Sequence, residues 1–276
     1  MKLTMLGTGL PMPNPARKGP SQVISLGGLH ILADCGPGAV HRLSEARIMP
    51  RDIDHVMITH HHADHYLDLG YFILVRWLMG VDRTLHVYGP QRQKQMIERL
   101  LALQDFDFRN RLDVMAPGRA LPDIAVIEFE EGPVAEIGGI KVSAFVTPHL
   151  PDGLSYGFCF QSQDRKIVLS GDTAPSENVI RNAHRADILV HECVDSRKSN
   201  LSGSPAFASP QERLRHMAAI HTFPEFLGAI ARDAKAKTLV TTHMVPASIP
   251  QELRAIIMQD FDGEVLIGED LMQVER

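Results

Sequence analysis

Short apolar runs, broken by glycine and proline, recur along the whole chain. Runs such as KLTML, LHILA and KIVLSG either alternate or stay apolar over four to seven residues, and such patterns predict β-strands. The predicted strands cover 2–6, 22–26, 29–33, 55–59, 84–89, 124–129, 140–147, 156–161, 166–171, 187–192, 237–243 and 263–268.

Apolar residues at helical spacing alternate with these strands. Ser176 and Ser209 are suitable N-caps, and Pro210 and Pro224 suit a first helical turn. The predicted helices cover 38–47, 66–79, 90–104, 176–184, 209–220, 224–234 and 250–259. Many strands with helices between and after them predict a layered α/β fold with the sheets in the middle.

Polar residues capable of chemistry collect at the ends of five predicted strands. They are His60 to His65, His149, Asp172, His191 with Glu192, and His243. Strand ends of a layered sheet can converge on one edge, so these residues predict a single site.

The stretch ITHHHADHYLD, residues 58–68, is the densest of these groups. Two imidazoles plus a distant third make a zinc site with a position left for water, and a carboxylate with further imidazoles makes a second. The alternative is a solvated loop, and for an isolated histidine such as His30 a hydrogen-bonded core position is the better interpretation. The metal interpretation is favoured here because the other ligand types also stand at strand ends. His61 lies between two proposed ligands and is predicted to point away from them.

Composition and net charge bear on the number of domains, the partner and the cellular location. With 276 residues, 44% of them hydrophobic, we predict a single domain over 1–276. The net charge of −5 gives no global attraction for nucleic acid. Three scattered cysteines favour a reducing compartment, and the N-terminus lacks a signal-peptide pattern, so we expect a cytoplasmic location. YFILVRWLMGV is too short to span a bilayer, and no membrane association is expected.

The combined pattern resembles the metallo-β-lactamase superfamily, whose signature is His-x-His-x-Asp-His followed by a distant His, an Asp and a final His. Within it the chain is most similar to the ribonuclease Z-like branch, through MLGTGLPMPNP, ILADCGPGAVHRL, PHLPDGLSYGF, LVHECV and HTFPEFLGAIARDAKAKTLVTTH. The resemblance spans nearly the whole chain. It implies a four-layer αββα sandwich with a metal site at one edge of the two sheets.

The resemblance also implies a ligand set for two divalent metal ions. One ion is expected on His60, His62 and His149, the other on Asp64, His65 and His243, with Asp172 bridging them. Zinc is the expected metal, with manganese or iron as alternatives.

The expected chemistry is that of a metal-dependent hydrolase. Two ions about 3.5–4 Å apart share a water, lower its pKa and leave a bridging hydroxide to attack the substrate. By resemblance, Asp34 accepts the second N–H of a ligand histidine. Asp64 is counted as catalytic as well as ligating, and so are Glu192 and His221, which are expected to stabilise charge or protonate the leaving group.

The chain lacks some sequence features of the ribonuclease Z-like branch, and these differences bear on the predicted substrate. Members that process transfer RNA carry a long arm between the third histidine and the bridging aspartate, whereas 22 residues separate His149 from Asp172 here. Their basic loop after the first strand is kept only in part, since NPARKGPS has Arg17 and Lys18 but not the Arg-Asn ending, and TTHMVPAS replaces the Ser-x-Arg-Tyr that follows their last histidine. We therefore predict cleavage of a small-molecule ester, lactone, amide or phosphodiester, with nucleic acid as an unfavoured partner. The alternative is a ribonuclease Z-type endonuclease acting on transfer RNA or other nucleic acid.

Three further expectations are open to test. A redox protein or a non-catalytic metal-binding module is disfavoured, because no flavin domain fits in the chain and no ligand is lost. Segments 105–118 and 195–213 are candidate mobile walls of the pocket, and the helix beginning near Tyr66 contributes mainly to the core. The sequence leaves the oligomeric state open, and a homodimer is compatible with the resemblance.

Overall fold

Two mixed β-sheets form the middle of the structure, a computed structural model that describes residues 1–115, 117–195, 209–245 and 248–275. In chain order the strands are β1 (Lys2–Gly7), β2 (Ser21–Leu26), β3 (Leu29–Ala33), β4 (His55–Met57), β5 (Leu85–Gly89), β6 (Ile124–Glu128), β7 (Gly132–Ile137), β8 (Ile140–Val146), β9 (Tyr156–Gln161), β10 (Lys166–Leu169), β11 (Ile188–Glu192), β12 (Thr238–Thr242), β13 (Glu264–Leu266) and β14 (Gln273–Glu275).

Within the described residues, each sheet has seven strands, and the two sheets are built alike. The first has the order β14-β1-β2-β3-β4-β5-β6, and the second has the order β13-β12-β11-β10-β9-β8-β7. In the first sheet, β14 to β3 pair antiparallel and β3 to β6 pair parallel. In the second, β7 to β10 pair antiparallel and β10 to β13 pair parallel.

Helices lie on the outer faces of both sheets. They are α1 (Ala39–Glu45), α2 (Ala63–Tyr66), α3 (Leu69–Leu78), α4 (Gln93–Val114), α5 (Glu177–Asn182), α6 (Pro210–Ile220), α7 (Pro224–Asp233) and α8 (Pro250–Ile257), with a short 3₁₀ turn at Pro50–Asp52. Ser176 and Ser209 each accept a backbone N–H as N-caps of α5 and α6, as their sequence positions predict.

Three apolar clusters define the layers. Between the sheets, Ile24 and Ile31 of the first pack in one cluster with Phe158 of the second. The neighbouring residues Val23 and Leu32 face outward and pack with α3 and α4. Because adjacent strand residues point to opposite faces and both faces are covered, the middle of each strand has apolar residues in succession, Val23 with Ile24 on β2 and Ile31 with Leu32 on β3. A third cluster joins the outer face of the second sheet to α5, α7 and α8, which confirms the four-layer αββα sandwich.

Every predicted strand and helix overlaps an observed element, and the differences have local causes. Strand β7 was not predicted because Gly132, Pro133 and Glu136 dilute its apolar pattern. Strand β14 is only three residues long and has one buried residue, Val274. Its pairing with β1, at the opposite end of the chain, provides the context that the local sequence lacks.

The prediction of a mobile wall over 105–118 is wrong for most of that segment. Helix α4 continues through it to Val114. Phe108 is buried in the core, with its ring centroid 5.2 Å from that of Trp77. Phe72 and Trp77 of α3 are buried as well, as expected for a helix that contributes mainly to the core. Of the other proposed wall, residues 196–208 lie outside the described residues.

No helix in the described part of the chain is long and apolar enough to cross a membrane. The single domain, the cytoplasmic location and the homodimer stay predictions.

Phe158 tests the core between the sheets. Its side chain is fully buried there, so Phe158→Ala should lower the free energy of unfolding by about 3–5 kcal/mol because it leaves a cavity. The matched control is Phe106→Ala on α4, since Phe106 is 82% exposed and should change stability by less than about 0.5 kcal/mol. Urea denaturation of both variants makes the measurement, and equal effects would contradict this assignment of the core.

Candidate metal centre

The loop between β4 and α3 brings four polar residues to one edge of the first sheet. His60 and His62 lie in extended chain after β4, and Asp64 and His65 fall in the short helix α2. Gly36 lets the neighbouring loop approach this turn closely, since a Cβ there would lie 2.1 Å from the carbonyl oxygen of Asp64.

The second sheet delivers the remaining residues to the same place. His149 follows β8, Asp172 follows β10 and His243 follows β12. His243 has a φ of 53°, and Asp34, the first residue after β3, has a φ of 54°. Two non-glycine residues in the left-handed region carry backbone strain, which commonly accompanies functional sites.

The seven predicted ligands form two groups that meet at Asp172. Within each group, the candidate ligand atoms lie within 4.8 Å of one another. The first group is His60, His62, His149 and Asp172, and the second is Asp64, His65 and His243. Oδ2 of Asp172 lies 3.7 Å from Nε2 of His149 and 3.3 Å from Nε2 of His243. The structure therefore brings all seven together, and Asp172 reaches both groups.

The spacing of these atoms fits a metal ion. Nε2 of His149 lies 3.1 Å from Nδ1 of His62, close to the distance of about 3.3 Å between two nitrogens that are each about 2.0–2.1 Å from one tetrahedral zinc. Nε2 of His60 and Nε2 of His65 are buried and have no hydrogen-bond partner among the described residues. Buried imidazole nitrogens normally have a partner, so these atoms are suited to bind a cation.

Hydrogen bonds at the other ring nitrogens hold several of these imidazoles. Nδ1 of His65 lies 2.8 Å from Oδ2 of Asp34, the contact that the sequence resemblance implies for that aspartate. Nδ1 of His149 lies 2.8 Å from the carbonyl oxygen of Ile220 and donates to it. A histidine that donates through Nδ1 presents the lone pair of Nε2 to the centre.

The electrostatics of the site also suit a cation. Burial lowers the pKa of His149 to about 4 and that of His60 well below its usual value. Both are thus neutral near pH 7, as metal ligands must be. Burial raises the pKa of Asp172, but His243 and His65 outweigh it and hold that pKa well below its usual range. Against the effect of burial, Asp172 and Asp34 raise the pKa of His65, and the same two carboxylates would attract a divalent cation that competes with the proton.

His221 and Glu192 form a buried pair beside these groups. Nδ1 of His221 lies 3.0 Å from Oε2 of Glu192, and the Glu192 carboxylate also accepts the backbone N–H of Thr173. Burial lowers the pKa of His221, but Glu192 outweighs it and raises that pKa to about 9. The ring of His221 lies 5.0 Å from that of His149, so a cationic imidazole faces the edge of the centre.

His61 and His191 point away from the two groups. Nε2 of His61 lies 3.0 Å from Oε1 of Gln93, the first residue of α4, and His61 is in none of the candidate metal groups among the described residues. His191 is fully buried, and its Nδ1 bonds the carbonyl oxygen of Glu192. Thr59, whose hydroxyl contacts Asp34 and His60, was not predicted as a residue of the site. Its position directly before the histidine cluster was the only available signal.

Comparisons with known proteins agree with this architecture. Residues 1–204 match the family model described as Anti-Pycsar protein Apyc1. The chain is 31% identical to the ribonuclease Z of Mycobacterium bovis (strain BCG / Pasteur 1173P2) over 281 aligned positions, which cover 100% of this chain and 98% of that protein.

Two solved structures share the fold over their full length. The metallo-β-lactamase fold protein YhfI from Bacillus subtilis superimposes with a TM-score of 0.76 at 21% identity, covering 100% of this chain and 99% of that one. The short form of human tRNase Z gives a TM-score of 0.71 at 22% identity, with coverage of 100% and 99%. The metallo-β-lactamase fold is therefore established, and the relatives support a metal-dependent hydrolase.

These relatives also correct the predicted partner. The expectation of a small-molecule substrate, with nucleic acid unfavoured, is wrong, since the full-length relatives are ribonucleases by name. Net charge is a sum over the whole surface and does not describe the surface around one site. The missing arm was also a poor guide, because the aligned ribonuclease Z has nearly the same length as this chain.

Asp172→Asn tests whether the seven residues bind metal. The amide keeps the shape of the side chain but removes the charge that both groups share, so bound metal per chain should fall by at least half in elemental analysis of purified protein. Asp105→Asn, an exposed position on α4, is the control and should leave metal content unchanged. Equal metal content in the two variants would argue against Asp172 as a ligand.

Proposed function

Since the chain belongs to the ribonuclease Z-like branch of the metallo-β-lactamase superfamily, we propose that it hydrolyses phosphodiester bonds in RNA, with precursor transfer RNA as its first candidate substrate. The observation that carries this proposal is the 31% identity to a ribonuclease Z over the full length of both chains. The fold of human tRNase Z is consistent with it.

The proposal includes a pair of divalent ions. His60, His62 and His149 would hold one ion, Asp64, His65 and His243 would hold the other, and Asp172 would contact both. Imidazole and carboxylate donors in this ratio suit zinc, with manganese or iron as alternatives. When bound, the ions would activate a water near neutral pH and neutralise charge on the phosphoryl oxygens.

His221 is proposed to act on the leaving group. Glu192 holds its Nδ1 at 3.0 Å, so Nε2 is the atom that can reach toward a substrate. A cationic imidazole at this edge could donate its proton to the leaving oxygen as the phosphorus–oxygen bond breaks, and before that stabilise charge on the phosphoryl group. Glu192 is proposed to keep this imidazole oriented and charged.

A cavity beside the ligand loop is the proposed entry for the RNA strand. Its volume is about 710 Å³, and its lining includes residues 10–15 with Lys18, Gly19 and Pro37. A Cβ on Gly19 would lie 2.9 Å from the carbonyl oxygen of Asp64, so this lining is next to the proposed metal ligands. The Lys18 ammonium would favour a phosphate there.

Metal-loaded enzyme should cleave precursor transfer RNA, and chelation should abolish the activity. Cleavage is followed on gels, with bis(p-nitrophenyl) phosphate assayed in parallel as a phosphodiester that offers no RNA contacts. Hydrolysis of the small probe without cleavage of any RNA would refute RNA as the substrate while leaving the phosphodiesterase chemistry intact.

His221→Ala serves as the site variant in the same assay. It should lower kcat by about 10²–10⁴-fold, the usual contribution of a general acid, with metal content unchanged. The control is His184→Ala, since His184 is exposed beyond α5, and it should retain full activity. A His221→Ala enzyme as fast as the control would remove His221 from the mechanism.

A further inference from the structure

Thr59 connects the two groups of the proposed metal centre. It follows β4, directly precedes His60 and is 1% exposed. Its hydroxyl oxygen lies 2.9 Å from Oδ2 of Asp34 and 3.0 Å from Nδ1 of His60. Its carbonyl oxygen accepts the N–H of Tyr156 from the second sheet at 3.2 Å, so this residue also joins the two sheets at the site.

The donor and acceptor groups around Thr59 define the direction of these hydrogen bonds. The carboxylate oxygens of Asp34 are acceptors here, and they receive the backbone N–H of Thr59 at 2.8 Å, the Nδ1–H of His65 at 2.8 Å and the hydroxyl of Thr59 at 2.9 Å. The single hydroxyl proton of Thr59 therefore goes to Asp34. The same oxygen can then only accept from His60, so His60 carries its proton on Nδ1.

This tautomer leaves the lone pair of His60 on Nε2. That atom is buried, has no hydrogen-bond partner among the described residues and lies 3.9 Å from Oδ2 of Asp172. Asp34 thus fixes one imidazole in each group: it bonds His65 directly, and it fixes His60 through the hydroxyl of Thr59.

We propose that Thr59 is a positioning residue that sets the tautomer and orientation of His60 and so controls affinity for the ion at His60, His62 and His149. The inference rests on the proposed metal centre but not on the substrate. Removal of such an outer partner usually weakens metal binding by about 10–100-fold. The loss should fall mainly on one of the two ions, because Nδ1 of His65 keeps its 2.8 Å contact with Asp34 and lies farther, at 3.4 Å, from the hydroxyl of Thr59.

The variants Thr59→Val and Thr59→Ser separate the effect of the hydroxyl from the effect of the side chain's shape. Valine keeps the branched shape but leaves Nδ1–H of His60 without an acceptor, whereas serine keeps the hydroxyl and loses only the methyl group. Full-length protein stripped of metal is titrated with Zn²⁺ against a chromophoric chelator, which resolves two dissociation constants. Thermal unfolding of the stripped proteins reports whether each variant folds.

We expect Thr59→Val to raise one zinc dissociation constant by about 10–100-fold and to change the other less than about threefold. Thr59→Ser should stay within about threefold of wild type for both, and Asp34→Asn should weaken both sites. Unchanged zinc affinity in a folded Thr59→Val would overturn the proposal. So would equal losses in the valine and serine variants, since methyl packing would then be the cause.

A second measurement uses the unmodified enzyme and does not depend on any variant folding. Nitrogen-15 NMR of zinc-loaded wild type should show His60 protonated on Nδ1 and bound to metal through Nε2. A proton on Nε2 of His60 would overturn the proposal. A wild type that binds no metal would overturn both this inference and the proposed centre, whereas a metal-bound enzyme that cuts no RNA would refute the substrate alone.

Discussion

The buried carboxylate of Asp172 is the group on which the arrangement of the rest depends. It is 3% exposed and ionised, and a buried charge is costly unless it is paired. His65 of the first sheet and His243 of the second offset this charge, with their Nε2 atoms 3.4 and 3.3 Å from Oδ2 of Asp172. The carboxylate is therefore stable only when both sheet edges are in place.

The two sheets meet this requirement through similar architecture. Each combines an antiparallel half with a parallel half, and residues of the site leave the ends of strands near the middle of both. Hydrogen bonds of Thr59 also connect the two sheets at the site. Its backbone carbonyl accepts from β9 of the second sheet, and its side chain donates to Asp34, which follows β3 of the first. The apolar cluster between the sheets, which includes Phe158, keeps the two sheet edges in their relative positions. The geometry of the site therefore depends on the packing of the core.

The layers and four of the seven clustered residues were predictable because they leave local patterns: apolar periodicity for the elements and His-x-His-x-Asp-His for the ligand loop. His149, Asp172 and His243 were predicted from their positions at strand ends and from the resemblance. Strand β14 was missed because it depends on pairing with β1 across the whole chain. Thr59 was missed because a hydroxyl has no characteristic spacing, and its partner Asp34 is 25 positions away. The substrate was mispredicted because net charge and loop length do not describe the surface beside the ligand loop.

In the proposed function, the site would hold two divalent ions, His221 would act on the leaving group, and the substrate would be an RNA phosphodiester. Burial keeps His149 neutral near pH 7, as a metal ligand must be, whereas Glu192 raises the pKa of His221, which suits a proton donor. The most direct test of this account is anomalous X-ray scattering from crystals of the metal-loaded enzyme. We expect two peaks, one among His60, His62 and His149 and one among Asp64, His65 and His243, with Asp172 between them. A single peak, or two peaks elsewhere in the protein, would contradict the account.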